Sequence, residues 1–178
     1  MTPLRPLRLL VAAVALGATA ATAQSASTDY RDEFLRQFEG SSRKITMLAE
    51  AMPQELYDWS PSEGVMSVAR VYMHIARYNF MYPEDALGIP APSSVDLDTM
   101  EEIRDKTQVT RILQESVAHV RESVQRMTSA DLEASTRLYG REIAKWAVLL
   151  QLIAHMNEHV GQSVAYARMN DIVPPWSR

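Results

Sequence analysis

The stretch Val148-Leu-Leu-Gln-Leu-Ile-Ala-His155-Met-Asn-Glu158-His159-Val-Gly-Gln162-Ser-Val-Ala-Tyr166 decides the fold. Val148, Leu152, His155, His159, Gln162 and Tyr166 recur at steps of four and three, the spacing of one helix face. That face carries apolar residues suited to a core and, one turn apart, two imidazoles. A buried imidazole loses water at its polar nitrogens, so a pair on an inward stripe requires hydrogen bonds or a cation. His at i and i+4 can converge on one divalent ion while the other ring nitrogens bond to neighbouring groups.

Three further stripes precede this helix. Phe34, Phe38, Ile45, Leu48 and Met52 share a face of a first helix of about six turns, capped at Thr28-Asp29, closed by Pro53 and softened at Gly40-Ser-Ser. Pro53 to Gly64 reads as a loop anchored by Trp59. Ser67 caps a second helix in which Val68, Val71, His74 or Ile75, Tyr78 and Met81 keep the same step, up to Pro83. His74 therefore lands on or beside the inward stripe. From Tyr82 to Thr99 the prolines, Gly88 and Ser93-Ser94 predict a long irregular connection, a crossover along the bundle or a lid, with a short helical start at Thr99 and Glu101-Glu102.

Thr107 or Asp105 caps a third helix with Val109, Leu113, Val117, Val120, Val124 and Met127 inward. His119 lies about 100° around that helix from the stripe, a boundary or surface position that leaves it outside the site. A helical turn from Ser129-Ala130-Asp131 leads through Leu138-Tyr139-Gly140 to the last helix, which runs to about Met169. The tail Ile172-Val-Pro-Pro-Trp176 is expected to pack on its own domain or on a partner subunit. Four amphipathic helices, no strand alternation and no internal repeat predict an all-α fold, a four-helix bundle with a long crossover connection.

The chain has 178 residues, 47% of them hydrophobic and 22% charged, which suits one domain with a sizeable core. Met1 to Arg8 carries two arginines, Leu9 to Ala21 is apolar, and Ala21-Thr22-Ala23 fits a small-x-small cleavage site. This is the order of a secretory signal peptide, and the run is shorter than the roughly 20 residues of a membrane span. The expectation is export to the periplasm or beyond, with residues 1–23 removed, residues 24–178 forming the domain, and no stable membrane insertion after cleavage. The formal charge is -4; the first 23 residues hold Arg5, Arg8 and no acid, so the remainder carries 16 basic and 22 acidic residues, a net -6. Without a basic cluster, that balance argues against a nucleic-acid partner. There is no cysteine, so thiolate ligands, disulfides and a cysteine nucleophile are excluded, and a metal site must use His, Asp or Glu.

His74 on the second helix and His155 and His159 on the fourth can meet at one end of the bundle core. Three neutral imidazoles leave open positions on a divalent metal, the arrangement of catalytic rather than structural sites, and zinc, nickel, ferrous iron and manganese all accept them. Ten methionines are scattered along the chain, which fits adaptable core packing better than a copper motif.

The chain resembles the DinB-like family of four-helix metal-binding proteins. The matching stretches are Trp59-Ser-Pro-Ser-Glu-Gly-Val-Met-Ser67 leading to Val71-Tyr-Met-His74-Ile-Ala, then Leu149 to His155-Met-Asn-Glu-His159-Val-Gly-Gln162, then Tyr166-Ala-Arg-Met-Asn170 and Pro174-Pro175. The resemblance spans essentially everything after the signal peptide. It implies that His74, His155 and His159 are the metal triad, that the bundle follows the family's topology with a long crossover, and that a homodimer, common among such proteins, is an assembly open to this chain. It also implies a metal-dependent transferase or isomerase that uses a low-molecular-weight thiol and acts on a small molecule.

Two other readings compete with that one. His155-Met-Asn-Glu158-His159 matches the H-x-x-E-H pattern of inverted zinc peptidases, with Glu158 as general base, but too little chain follows it for a further ligand helix. A non-catalytic periplasmic metal-binding or stress-related module needs the same triad. A site left open to substrate favours the enzyme, and one closed by a fourth protein ligand favours the module.

Overall fold

The computed structural model describes residues 26–177, with side chains from residue 30 onward. The signal sequence read at residues 1–23 lies outside the described residues. Among the described residues there are four long helices, α1 (Ala26–Ala51), α2 (Val68–Tyr82), α3 (Lys106–Gln125) and α5 (Lys145–Met169), with a short helix, α4 (Ser129–Glu133), before the last.

α1, α3 and α5 bury the stripes that their periods mark, whereas on α2 Val68, Val71 and Ile75 are buried, Tyr78 and Met81 are only half-buried, and Phe80 and Tyr82 fill the core beside them. Phe34, Phe38, Ile45, Leu48 and Met52 are buried along α1 and its end, and Val109, Leu113, Val117, Val120 and Val124 along α3. Fully burying a side chain of this size contributes about 1.5–3 kcal/mol, so the four stripes are what hold the bundle together. α1 packs against α5 and α3, and α2 packs against the same two, so α1 and α2 occupy opposite corners. The connection 83–105 joins α2 to α3 along the outside of the bundle.

Local chemistry sets the ends. The Ser67 side chain accepts from Arg70 N at 3.3 Å and opens α2, and Asp105 accepts from Gln108 N at 2.9 Å and opens α3. Thr128 and Asp131 form a reciprocal capping box on α4. α1 is already helical at Ala26, so Thr28 and Asp29 lie inside the helix rather than capping it. Nor does Gly40-Ser-Ser interrupt it: Ser41 and Ser42 are buried, and Ser41 Oγ donates to Asn157 Oδ1 of α5 at 2.6 Å.

Pro83 ends α2 at Tyr82, as its position marks, but not the helical path. It opens a π-turn, Pro83–Leu87, where its missing N–H is not needed, and Gly88 closes that turn at φ 76°. The expected short start near Thr99 is a 3-10 turn, Met100–Glu102, with Met100 buried beneath it.

The expectation of no strands is corrected. β1 (Ser135–Leu138) and β2 (Arg141–Ala144) pair antiparallel, with Leu138 opposite Arg141. Tyr139 at φ 51° and Gly140 at φ 75° form the two-residue link, and two successive positive φ values are what a tight hairpin with right-handed strand twist requires. Leu138 is buried and Thr136 Oγ1 donates to Ala86 O at 2.6 Å, so the hairpin is pinned to the π-turn. At the C-terminus, a 3-10 turn, Pro175–Ser177, packs back on α1. No helix among the described residues is long and apolar enough to cross a membrane.

Candidate metal centre

His155 and His159 are both buried, one turn apart on α5, because they continue the stripe of Val148 and Leu152. Across from them, α2 buries Val71 and Ile75 on either side of His74, leaving that imidazole partly exposed toward α5. The rings of His155 and His159 lie 4.6 Å apart between centroids, and that of His74 lies 5.1 Å from His155 and 4.9 Å from His159. One ring nitrogen from each falls within 4.8 Å of the other two. Tetrahedral zinc at ordinary Zn–N distances sets its nitrogens about 3.4 Å apart, so a set within 4.8 Å of one another is on the scale of a single-cation site.

Hydrogen bonds decide which nitrogens are free. His74 Nδ1 meets Glu101 Oε1 at 2.8 Å, and His159 Nδ1 meets Gln162 Oε1 at 2.8 Å. A carboxylate oxygen and an amide carbonyl only accept, so in the neutral rings each Nδ1 carries the proton and each Nε2 keeps its lone pair. Gln162 is oriented by Tyr166: its Nε2 donates to the Tyr166 hydroxyl at 2.8 Å, and that hydroxyl donates to Met66 O at 3.1 Å. Trp59 meets Tyr166 edge-on at 5.4 Å, so the loop anchor read at Trp59 braces this chain of bonds. His155 Nε2 is buried with no hydrogen-bond partner among the described residues.

An orphaned imidazole nitrogen beside two others whose Nε2 lone pairs are free fits a divalent cation. Leaving that nitrogen unpaired in the interior would cost about 1–3 kcal/mol. The electrostatics agree, because a ligating histidine must be neutral. Burial, with His159 and His74 beside it, pushes the His155 imidazole down to about 3. Burial lowers His159 as well, against the opposing hydrogen bond to Gln162. For Glu101 burial pushes upward, but the hydrogen bonds from His74 and from Arg70, whose Nε lies 3.2 Å from Oε2, outweigh it and leave the carboxyl below its ordinary value.

An aromatic flank closes one side. The Tyr78 ring lies 4.5 Å from His155 and 4.7 Å from His74, with the Arg77 guanidinium 5.6 Å over its face. Tyr82 meets His155 edge-on at 6.0 Å, and its hydroxyl bonds that of Tyr139 at the hairpin tip. Among the described residues no Asp, Glu or further His joins the three ligand atoms. The His74 side chain is 20% exposed.

The remaining candidates fall elsewhere. His119 is half-buried on α3 against Phe80, 5.3 Å between rings, and takes no part in the cluster. Glu158 is exposed, pointing away from the inward face that a general base in the peptidase reading would need. The residues missed in sequence are Glu101, read only as a helical start, and Tyr82 and Tyr139 of the flank; in sequence Tyr78 stands on the inward stripe of the second helix, but without a place at the site. An acid inside an aperiodic connection gives no signal of where it will land.

A four-helix bundle with three imidazoles gathered between two of its helices defines a helical protein built around a histidine metal centre. Residues 37–166 match the sequence profile of the DinB superfamily, and the chain belongs to that superfamily. Solved structures agree in fold. A DinB-like protein from Bacillus cereus ATCC 10987 superposes with a TM-score of 0.71 at 18% identity, covering 81% of this chain and 95% of that one. YfiT from Bacillus subtilis, described as a probable metal-dependent hydrolase with an unusual four-helix bundle topology, gives 0.65 at 17% identity, covering 85% and 94%. A DinB-like protein from the same organism gives 0.63 at 17%, covering 79% and 93%. No curated protein matches the chain significantly in sequence.

Proposed function

We propose that this chain is a divalent-metal-dependent enzyme acting on a small molecule, with His74, His155 and His159 as ligands through their Nε2 atoms. The observation that carries the reading is the buried, unpartnered Nε2 of His155 among three imidazole nitrogens within 4.8 Å. A divalent cation held there supplies Lewis-acid chemistry, polarising a substrate oxygen or activating a water or thiol nucleophile near neutral pH. The protein's part is to orient the imidazoles, through Glu101 on His74 and Gln162 on His159, while burial holds His155 and His159 neutral. Tyr78 and Tyr82 shield the His155 side from water. Absence of a fourth ligand in the cluster among the described residues, together with the partial exposure of His74, supports an open coordination position and hence turnover over storage.

Water as nucleophile is supported by the description of YfiT as a probable hydrolase. Thiol-dependent transfer or isomerisation is the second reading, supported by the family resemblance in the sequence. We also propose cleavage after Ala23 and export, which N-terminal sequencing of the mature protein tests. A homodimer belongs to the same proposal, and sedimentation of that material tests it.

The deciding experiment is metal analysis of purified protein reconstituted separately with zinc, nickel, ferrous iron and manganese. About one ion per chain is expected, lost in His155→Ala and His159→Ala and kept in His119→Ala. Failure of the wild type to hold any of the four overturns the reading. Turnover of esters, amides and electrophiles, with and without a low-molecular-weight thiol, then separates hydrolase from thiol-using enzyme. Metal retention without any turnover returns the chain to the non-catalytic module.

A further inference from the structure

Glu101 sits in the Met100–Glu102 turn, inside the connection that runs from α2 to α3. It is held in three ways. Met100 is buried under the turn, Arg104 Nη1 donates to Glu101 O at 2.6 Å, and Arg70 Nε donates to Glu101 Oε2 at 3.2 Å. The other carboxylate oxygen is left to His74 Nδ1 at 2.8 Å. Among the described residues it is the one acid paired with a triad imidazole, since His159 bonds an amide.

We propose that Glu101 is the positioning residue of the metal centre, holding His74 in the tautomer whose Nε2 lone pair is available to the cation and strengthening that nitrogen as a donor. The proposal rests on the metal reading above and extends it to a residue of the crossover. Its logic is electrostatic and geometric. A neutral imidazole free in water favours the proton on Nε2, the state that cannot ligate through that atom. A fixed carboxylate 2.8 Å from Nδ1 reverses the preference and adds negative charge behind the ring, as carboxylates behind metal-bound histidines do. A simple surface ion pair with Arg70 would do neither, and such pairs contribute little. The crossover is thereby tied to the triad, so the segment that passes outside the bundle takes part in building the site.

The test uses the full mature chain and three variants: Glu101→Ala, Glu101→Gln and, as a control, Glu102→Gln, whose side chain is 77% exposed. Zinc affinity is measured by competition with a chromophoric chelator, and the His74 tautomer is read from the ring nitrogens of the metal-free, 15N-labelled protein. Glu101→Ala is expected to bind zinc about 10–100-fold more weakly, in line with losses on removing such partners. The same variant shifts His74 toward the Nε2-protonated form. Glu101→Gln keeps an acceptor oxygen without the charge, so it retains the tautomer but recovers only part of the affinity. Glu102→Gln leaves both readings at wild type.

A merely structural role would lower the melting temperature without moving the tautomer. Folded Glu101→Ala with wild-type zinc affinity, or a wild-type His74 protonated on Nε2, overturns this proposal while leaving the triad intact. A wild type that takes up no zinc or other cation sinks the metal reading itself, a distinct result.

Discussion

Tyr78 lays its ring 4.5 Å from that of His155, at an interplanar angle of 36°. The contact puts an aromatic wall where water would otherwise solvate the imidazole, and it explains why His155 Nε2 is both buried and alone. Without a cation, that nitrogen is a net liability. Metal-free His155→Leu is therefore expected to be more stable than metal-free wild type by about 1 kcal/mol or more, since an apolar group replaces an unpaired polar one. The same variant should hold no metal. Urea unfolding of both proteins after chelation checks the first half and metal analysis the second; a destabilised His155→Leu would show that the ring is a satisfied core residue.

Cation binding should then act as a stabilising ligand. With free zinc at about 1,000 times its dissociation constant, linkage gives roughly 4 kcal/mol of added stability. Chelation of the holoprotein should accordingly lower its melting temperature, and His159→Ala should melt at the same temperature with or without chelator. Equal melting of wild-type holo and chelated protein would contradict occupation of the site.

His119 offers a pH signature independent of the triad. Burial first, then the nearby Arg126, lowers its pKa, and its Nε2 is buried without a partner among the described residues. Above the ordinary value of 6.5 the ring is neutral in both folded and unfolded chains, and stability is full. As pH falls below that value the unfolded chain takes up a proton that the folded ring resists, so stability declines toward the depressed folded pKa. His119→Leu removes this share and flattens the acid side of the stability profile while leaving metal content unchanged. Urea midpoints of both proteins from pH 8 to pH 5 check the slope.

Where the fold was legible in sequence, a long period made it so. α5 holds its stripe from Val148 to Tyr166, enough turns to place His155 and His159 without ambiguity, and α2 is long enough to put His74 within one position of its inward row. The hairpin escaped because its strands are four residues each and β1 buries only Leu138 fully, too short a pattern for alternation to register. Its turn also departs from the usual pairing, with Tyr139 rather than Asn or Asp before Gly140. Glu101 escaped for a related reason: between Gly88 and Asp105 no periodicity links position to orientation, so its approach to His74 depends on tertiary contacts from Arg70, Arg104 and Met100.

The chain of bonds from His159 through Gln162 and Tyr166 to Met66 O predicts that a hydroxyl remote from the cation tunes its binding. Tyr166→Phe keeps the ring against Trp59 but strips Gln162 Nε2 of its acceptor and Met66 O of its donor. Two partly buried polar groups are left unpaired, a cost of about 1–3 kcal/mol that should appear as a lowered urea midpoint. Gln162 is then free to turn its amide, and a turned amide presents N–H to His159 Nδ1. That reversal would put the imidazole proton on Nε2 and remove the lone pair needed by the metal. Zinc affinity should therefore fall alongside stability in Tyr166→Phe. In Gln162→Leu it should fall by about tenfold or more, the scale on which such supporting partners act. Tyr166→Phe with reduced stability but unchanged zinc affinity would show that Gln162 keeps its orientation unaided.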